Sequence, residues 1–141
     1  IVHKAVKEAL LERITARMRD WKTGDPLDPQ NHLGSLIDSE HCKKVSKYLK
    51  GKAVAGGGKP KGNFVEPTVY EVKQSDAKAK EEIFGPILSV IEVASTEEAI
   101  QLANDTEYGL AASVFTGHVR KAIRAAREIR AGTCTVTCHG A

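Results

Sequence analysis

The strongest constraint on this chain is the regular alternation that begins at Ile87. Ile87 to Val93 has few polar residues and the length of a strand, and Ser95 to Glu98 has the spacing of a capping box. Ala99, Ile100, Leu102 and Ala103 then give an apolar side to a helix that ends by Tyr108-Gly109-Leu110. Ala111 to Phe115 reads as a second strand, Val119 to Ala131 as a helix with Ala122, Ile123, Ala126 and Ile129 on one face, and Thr133 to Cys138 as a third strand. Gly132 stands where a left-handed helix cap is wanted. Strand, helix, strand, helix, strand with short links predicts successive βαβ units, and so a parallel sheet with right-handed crossovers. The fold class is α/β.

The first half is less regular. From His3 to Trp21 the apolar residues Val6, Leu10, Ile14, Met18 and Trp21 recur at intervals of four and three, which predicts an amphipathic helix with those five on its inner side. Pro26 and Pro29 end it in an extended loop. Asp38 or Ser39 can cap a second helix running to about Leu49, with Val45 and Leu49 as its apolar contacts. Gly51 to Gly62 is turn-rich around one short strand, Ala53 to Ala55. Phe64 to Val72 is β-rich, with Pro67 demoting its first part, and a lysine-bearing connection follows.

With 141 residues, the chain is long enough for one domain with a real core. A formal charge of +3, with 21 basic residues against 18 acidic ones, does not imply nucleic acid as a partner. No apolar stretch approaches the roughly 20 residues of a membrane span. Cys42, Cys134 and Cys138 are an odd number without close pairing, and no secretory leader precedes them, so a reduced, cytoplasmic setting is expected. The opening Ile1-Val2-His3 reads as the interior of a longer chain.

Gly56-Gly57-Gly58-Lys59 invites a phosphate-loop reading, but Pro60 follows where a helix should begin, so a flexible turn is expected. Cys134, Cys138 and His139 fall short of a zinc set, because a second ligand pair is not evident; free thiols acting as small hydrophobes are expected. Glu81-Glu82-Ile83-Phe84-Gly85-Pro86 places two acids, an aromatic and a Gly-Pro turn just before a strand. One reading is an exposed turn whose Phe plugs the core. The other is a ligand site, since a carboxylate can accept two hydrogen bonds from vicinal ribose hydroxyls and a ring can cover the sugar.

Phe64-Val65-Glu66-Pro67-Thr68-Val69, Glu81-Glu82-Ile83-Phe84-Gly85-Pro86, Ala103-Asn104-Asp105-Thr106-Glu107-Tyr108-Gly109-Leu110 and Ala131-Gly132-Thr133 occur in the order and approximate spacing found in the aldehyde dehydrogenase superfamily. The resemblance covers essentially the whole chain. It implies residues 1–141 of a partial catalytic domain, open at both ends, that uses NAD or NADP to oxidise an aldehyde to an acid through a cysteine thioester. Cys42, Cys134 and Cys138 do not match the family nucleophile, which is expected a few residues before Ile1, with the general base further upstream. The isolated chain is therefore expected to be inactive, with no catalytic residue of its own. Its partners would be a small aldehyde substrate in the full enzyme and a second copy or the missing chain, as a homo-oligomer.

By the same resemblance Glu82 matches the glutamate that binds the nicotinamide ribose, and Phe84 the phenylalanine beside it. His41 and Lys44, at i and i+3 on the second helix, match positions that reach the cofactor from the other side; equally, they read as two solvated residues on a polar face. The segment from Val45 to Gly56 looks shorter than usual, and Thr137 stands where members commonly have asparagine. Trp21 to Pro29 and Gly34 to Asp38 resemble members acting on aminobutyraldehyde-type substrates. The alternative to an enzyme fragment is a non-catalytic scaffold or interaction protein that keeps the fold.

Overall fold

A computed structural model describes residues 1–137 and divides the chain into two compact units, Ala5–Glu92 and Ile1–Lys4 with the described residues from Val93 on. In chain order the elements are β1 (Val2–His3), α1 (Lys4–Met18), α2 (Ser39–Ser46), β2 (Thr68–Glu71), α3 (Ala77–Lys80), β3 (Ile87–Val90), β4 (Glu92–Val93), α4 (Thr96–Asn104), β5 (Ala111–Val114), α5 (Val119–Glu128) and β6 (Thr133–Val136). The fold is α/β. Each unit is built on a parallel strand pair, β2 with β3 in one and β5 with β6 in the other. The expected parallel pairing is thus present, but as two separate ladders rather than one run through all three C-terminal strands.

In the first unit, β2 opens on Thr68 because Pro67 lacks the donor a ladder needs. Thr68 is 1% exposed, and its backbone N–H donates to the Pro86 carbonyl at 2.9 Å. The Thr68 hydroxyl donates to the Glu66 carbonyl at 3.1 Å and accepts the Gly57 N–H at 3.0 Å. Gly58 N–H donates to Glu66 Oε1 at 2.6 Å. The glycine loop therefore has two amides engaged internally. Gly56 (φ 70°) lies so close to the Pro67 carbonyl that a side chain could not fit. Only a bridge between Ala55 and Val69 stands where the Ala53 to Ala55 strand was expected.

α1 departs from the expected face. Leu11 is buried and Ile14 and Met18 are half-buried, but Val6 and Leu10 are exposed. The inner stripe instead includes Lys7, whose ammonium sits 2.5 Å from Glu71, 2.8 Å from Glu92 and 3.3 Å from Glu8. A cation drawn to three carboxylates rotates the helix away from the face that apolar spacing alone selects. Those carboxylates, Glu71 first, also hold the Lys7 ammonium above the usual lysine range. The lysine-bearing connection contains α3, a single turn whose Asp76 side chain accepts the Lys78 N–H at 2.9 Å.

In the second unit, Ser95 caps α4 as expected, its Oγ accepting the Glu98 N–H at 3.1 Å, and Glu98 Oε2 reaches one residue past the cap to accept the Ala94 N–H at 2.7 Å. Asn104, the last residue of α4, brackets the end of α5. Its amide donates to the Glu128 carbonyl and accepts from the Arg130 N–H, both at 2.7 Å. The buried face of α5 is Ala122 and Ala125, whereas Ile123 is exposed. α5 ends on extended Ile129, not on a left-handed Gly132. Gly132 instead sits close against the chain leading into β5: its N–H donates to the Gly109 carbonyl at 2.8 Å, and a Cβ there would lie a tight 3.2 Å from the Leu110 carbonyl oxygen. Cys138 and His139 lie outside the described residues.

Candidate functional site

The residues singled out at Glu81 to Pro86 converge with α2 in the first unit. α2 begins where Asp38, in extended conformation, accepts the His41 N–H at 2.7 Å. That cap is of the kind worth about 1 kcal/mol. Cys42 and Val45 are buried with Val65, and Leu36, Leu49, Ile83 and Ile87 pack around them. This cluster anchors the turn through Ile83. Phe84 does not plug the core: it is 69% exposed, and Ile83 takes the inward place.

Phe84 also has φ 54°, a left-handed backbone that a bulky residue rarely adopts. Such a conformation costs about 1–3 kcal/mol and persists only where neighbours over-determine it. Here they do. His41 Nε2–H donates to the Phe84 carbonyl at 2.7 Å. Gly85 rests on Val45, so that a Cβ on Gly85 would lie 2.7 Å from Val45 Cγ1. Tyr48 donates a hydrogen bond to Glu81 Oε2. The Ile87 N–H donates to the Gly85 carbonyl at 2.7 Å and starts β3.

Glu82 stands on this turn with its side chain exposed and without a hydrogen-bond or ion-pair partner among the described residues. A free carboxylate beside an exposed ring, on backbone held in a strained conformation, is an arrangement suited to accepting hydroxyl donors from a flat, sugar-bearing ligand. Of the four residues marked by the sequence, Glu82 and Phe84 share the turn, and His41 is joined to it through the Phe84 carbonyl. Lys44 is engaged on its own helix, 3.1 Å from Glu40, and both side chains are solvated. Val45 and Tyr48 complete the site and were not singled out for it; the available signal was their spacing, Val45 four residues after His41 and Tyr48 three after Val45, just past the end of α2.

Cys42 donates from Sγ to the Gly62 carbonyl at 3.4 Å and is 6% exposed, so this thiol is a packed core group. Cys134 is half-buried in β6. On the other side of Gly85 and Pro86 lies a cavity of about 540 Å³ whose walls include Ile14, Met18, Trp21 and Leu88. Its lining is apolar, so it offers packing rather than chemistry. No helix of the described residues is long and apolar enough to cross a membrane.

The sequence profile of the aldehyde dehydrogenase family matches residues 1–141. Aminoacetaldehyde dehydrogenase of Pseudomonas aeruginosa is 53% identical over 147 aligned positions, covering 99% of this chain and 30% of that protein. The alignment is longer than the chain, so the relative carries residues that this chain lacks. The structure of gamma-glutamyl-gamma-aminobutyraldehyde dehydrogenase from Burkholderia cenocepacia superposes with a TM-score of 0.92 at 42% identity, over 98% of this chain and 30% of that one. PnpE of Pseudomonas sp. WBC-3, in complex with nicotinamide adenine dinucleotide, gives a TM-score of 0.92 at 36% identity, over 99% and 31%. The chain thus spans about 30% of the length of the relatives it matches. With a family profile running from the first residue to the last, and both its strand pairs and its acidic-aromatic turn in place, this chain belongs to the aldehyde dehydrogenase family.

Proposed function

We propose that this chain is part of the catalytic domain of an NAD(P)-dependent aldehyde dehydrogenase and supplies one wall of its cofactor site. The observation that carries this reading is the exposed, unpartnered carboxylate of Glu82 next to the exposed ring of Phe84 on a backbone-strained turn. The residues fit the group. Glu82 accepts hydrogen bonds from the two ribose hydroxyls on the nicotinamide side, and Phe84 packs against the sugar and ring, limiting the orientations open to the bound dinucleotide. When bound, the nicotinamide supplies the hydride acceptor for aldehyde oxidation.

His41 acts here by fixing the Phe84 carbonyl, and Lys44 lends positive charge from the solvated face of α2. The chain itself provides no nucleophile: Cys42 is packed in the core, and none of the three cysteines matches the family's reactive one. The substrate class we favour is a short aldehyde bearing an amino group, as in the names of the aminoacetaldehyde and gamma-glutamyl-gamma-aminobutyraldehyde relatives. Association with a further copy, or with the rest of the enzyme, is supported by the exposure of Leu110 (89%), Phe115 (67%) and Val119 (73%) in the second unit.

The test is a pair of measurements on the chain. Ligand-observed NMR with NAD should detect binding that Glu82→Gln weakens, and a spectrophotometric assay with NAD and amino aldehydes should show no NADH formation. Binding unaffected by Glu82→Gln would remove Glu82 from the site. Robust turnover would place the nucleophile within these residues and overturn the division of roles.

A further inference from the structure

α2 and the turn after it face Glu81–Pro86 with three side chains. His41 and Val45 are one helical turn apart on α2, and Tyr48 follows two residues past its last residue, Ser46, in a turn where the Tyr48 N–H donates to the Val45 carbonyl at 3.0 Å. His41 meets Phe84, Val45 meets Gly85, and Tyr48 meets Glu81. The two polar tethers thus grip the segment at positions three residues apart, one through a backbone carbonyl and one through a side chain. Glu81 is extended, with φ −103° and ψ 147°.

Ile83 enters the core cluster, while Glu82 and Phe84 on either side of it are exposed. The segment that carries them lies between two anchors. The anchor at Phe84 is a backbone carbonyl, reinforced by Gly85 against Val45. At Glu81 the side chain is held by the phenolic hydroxyl of Tyr48, and the backbone N–H donates to the Ala77 carbonyl.

We propose that Tyr48 is a positioning residue for the cofactor turn: by holding the Glu81 side chain it fixes the entry to the turn and so presents Glu82 beside Phe84. The role rests on the reading of Glu82 and Phe84 as cofactor-facing groups. Tyr48 makes no contact with cofactor in this scheme and acts only through Glu81. Releasing it leaves Phe84 tethered by His41 and Ile83 in the core, while Glu81 keeps only its backbone N–H, which donates to the Ala77 carbonyl at 2.9 Å.

The experiment uses the whole chain and Tyr48→Phe, which removes one hydroxyl and keeps the ring. Backbone ¹⁵N relaxation should give order parameters for Glu81 and Glu82 near the rigid value of about 0.85 in the parent and measurably lower values in Tyr48→Phe, with Ile83 unchanged. Phe84 and the β5–β6 residues should stay at their parent values. Glu81→Gln keeps an oxygen that can accept the phenolic proton, and should hold most of the order. Unchanged order at Glu81 and Glu82 in Tyr48→Phe, or a loss spread evenly over the chain, overturns the proposal. NAD titration provides the second readout: Tyr48→Phe should bind roughly tenfold more weakly, as for loss of one hydrogen bond to a charged group. If Glu82→Gln binds NAD as well as the parent does, the cofactor reading fails, while the relaxation data still decide whether Tyr48 holds the turn.

Discussion

Gly85→Ala isolates the contact on which the cofactor turn rests. Gly85 is not held at positive φ, so alanine meets no backbone penalty there, and the obstacle is space alone. The new Cβ would lie 2.7 Å from Val45 Cγ1 and 3.0 Å from Cγ2, where carbon atoms pack best at about 3.5–4.0 Å. Val45 is 0% exposed, and a valine in a helix has essentially one comfortable rotamer, so it cannot swing aside. Overpacking of this kind costs typically about 1–3 kcal/mol. Val45→Ala alone removes two buried methyl groups, a transfer loss of about 1.6 kcal/mol with a cavity contribution on top. In the double variant the added methyl occupies the vacated space, so the combined loss should fall short of the sum by on the order of 2 kcal/mol. Urea unfolding followed by Trp21 fluorescence measures this, because Trp21 is the single tryptophan and belongs to the same unit. At a urea slope of about 2 kcal/mol/M, each single variant should lower the midpoint by roughly 1 M. Losses that add to within about 0.5 kcal/mol would show that Val45 and Gly85 do not press on each other.

Two further outcomes concern the second unit. Glu97, in the first turn of α4, accepts its own helix-terminal N–H and then Arg124, and both hold its carboxyl below the usual carboxylate range. Its stabilising contribution is therefore full above that range and is lost as pH falls through it towards the folded-state value. The stability gap between the parent and Glu97→Gln, followed by circular dichroism, should narrow from pH 7 to pH 3; a constant gap would sink the assignment. Thr137 has φ 56°, an unfavourable conformation for a β-branched residue that asparagine tolerates far better. Thr137→Asn should therefore stabilise the chain by about 1 kcal/mol, read as a rise in Tm, and a fall in Tm would contradict that strain argument.

Local signals carried much of the fold. The Ser95–Glu98 box and the Asp38 cap are short-range hydrogen-bond patterns, and both formed where the spacing put them. The parallel pairing of β5 with β6 follows from a strand, a helix and a strand joined by short links. What periodicity missed was set by distant partners. Lys7 turns α1 because Glu71 and Glu92 lie 64 and 85 positions away in sequence, and no window along the helix contains them. α3 is one turn long, too short for any repeat, and only Asp76 before Ala77 announced it. For the site, Glu82 and Phe84 came from resemblance, whereas their presentation came from Val45 and Tyr48, residues that read in sequence as one apolar contact and one unremarked aromatic.

The face of α2 beneath the turn also sets where this family member can change length. Inserting one residue between His41 and Val45 would turn every later side chain of the helix by about 100°, and Val45 could no longer face Gly85. Beyond Leu49 the chain runs through glycine-bearing turns, where an added or lost residue shifts no helical register. Differences in length from the relatives are therefore tolerable after the second helix and prohibitive within it, so that the loop can drift in size while the helical turn from His41 to Val45 beneath the site stays fixed.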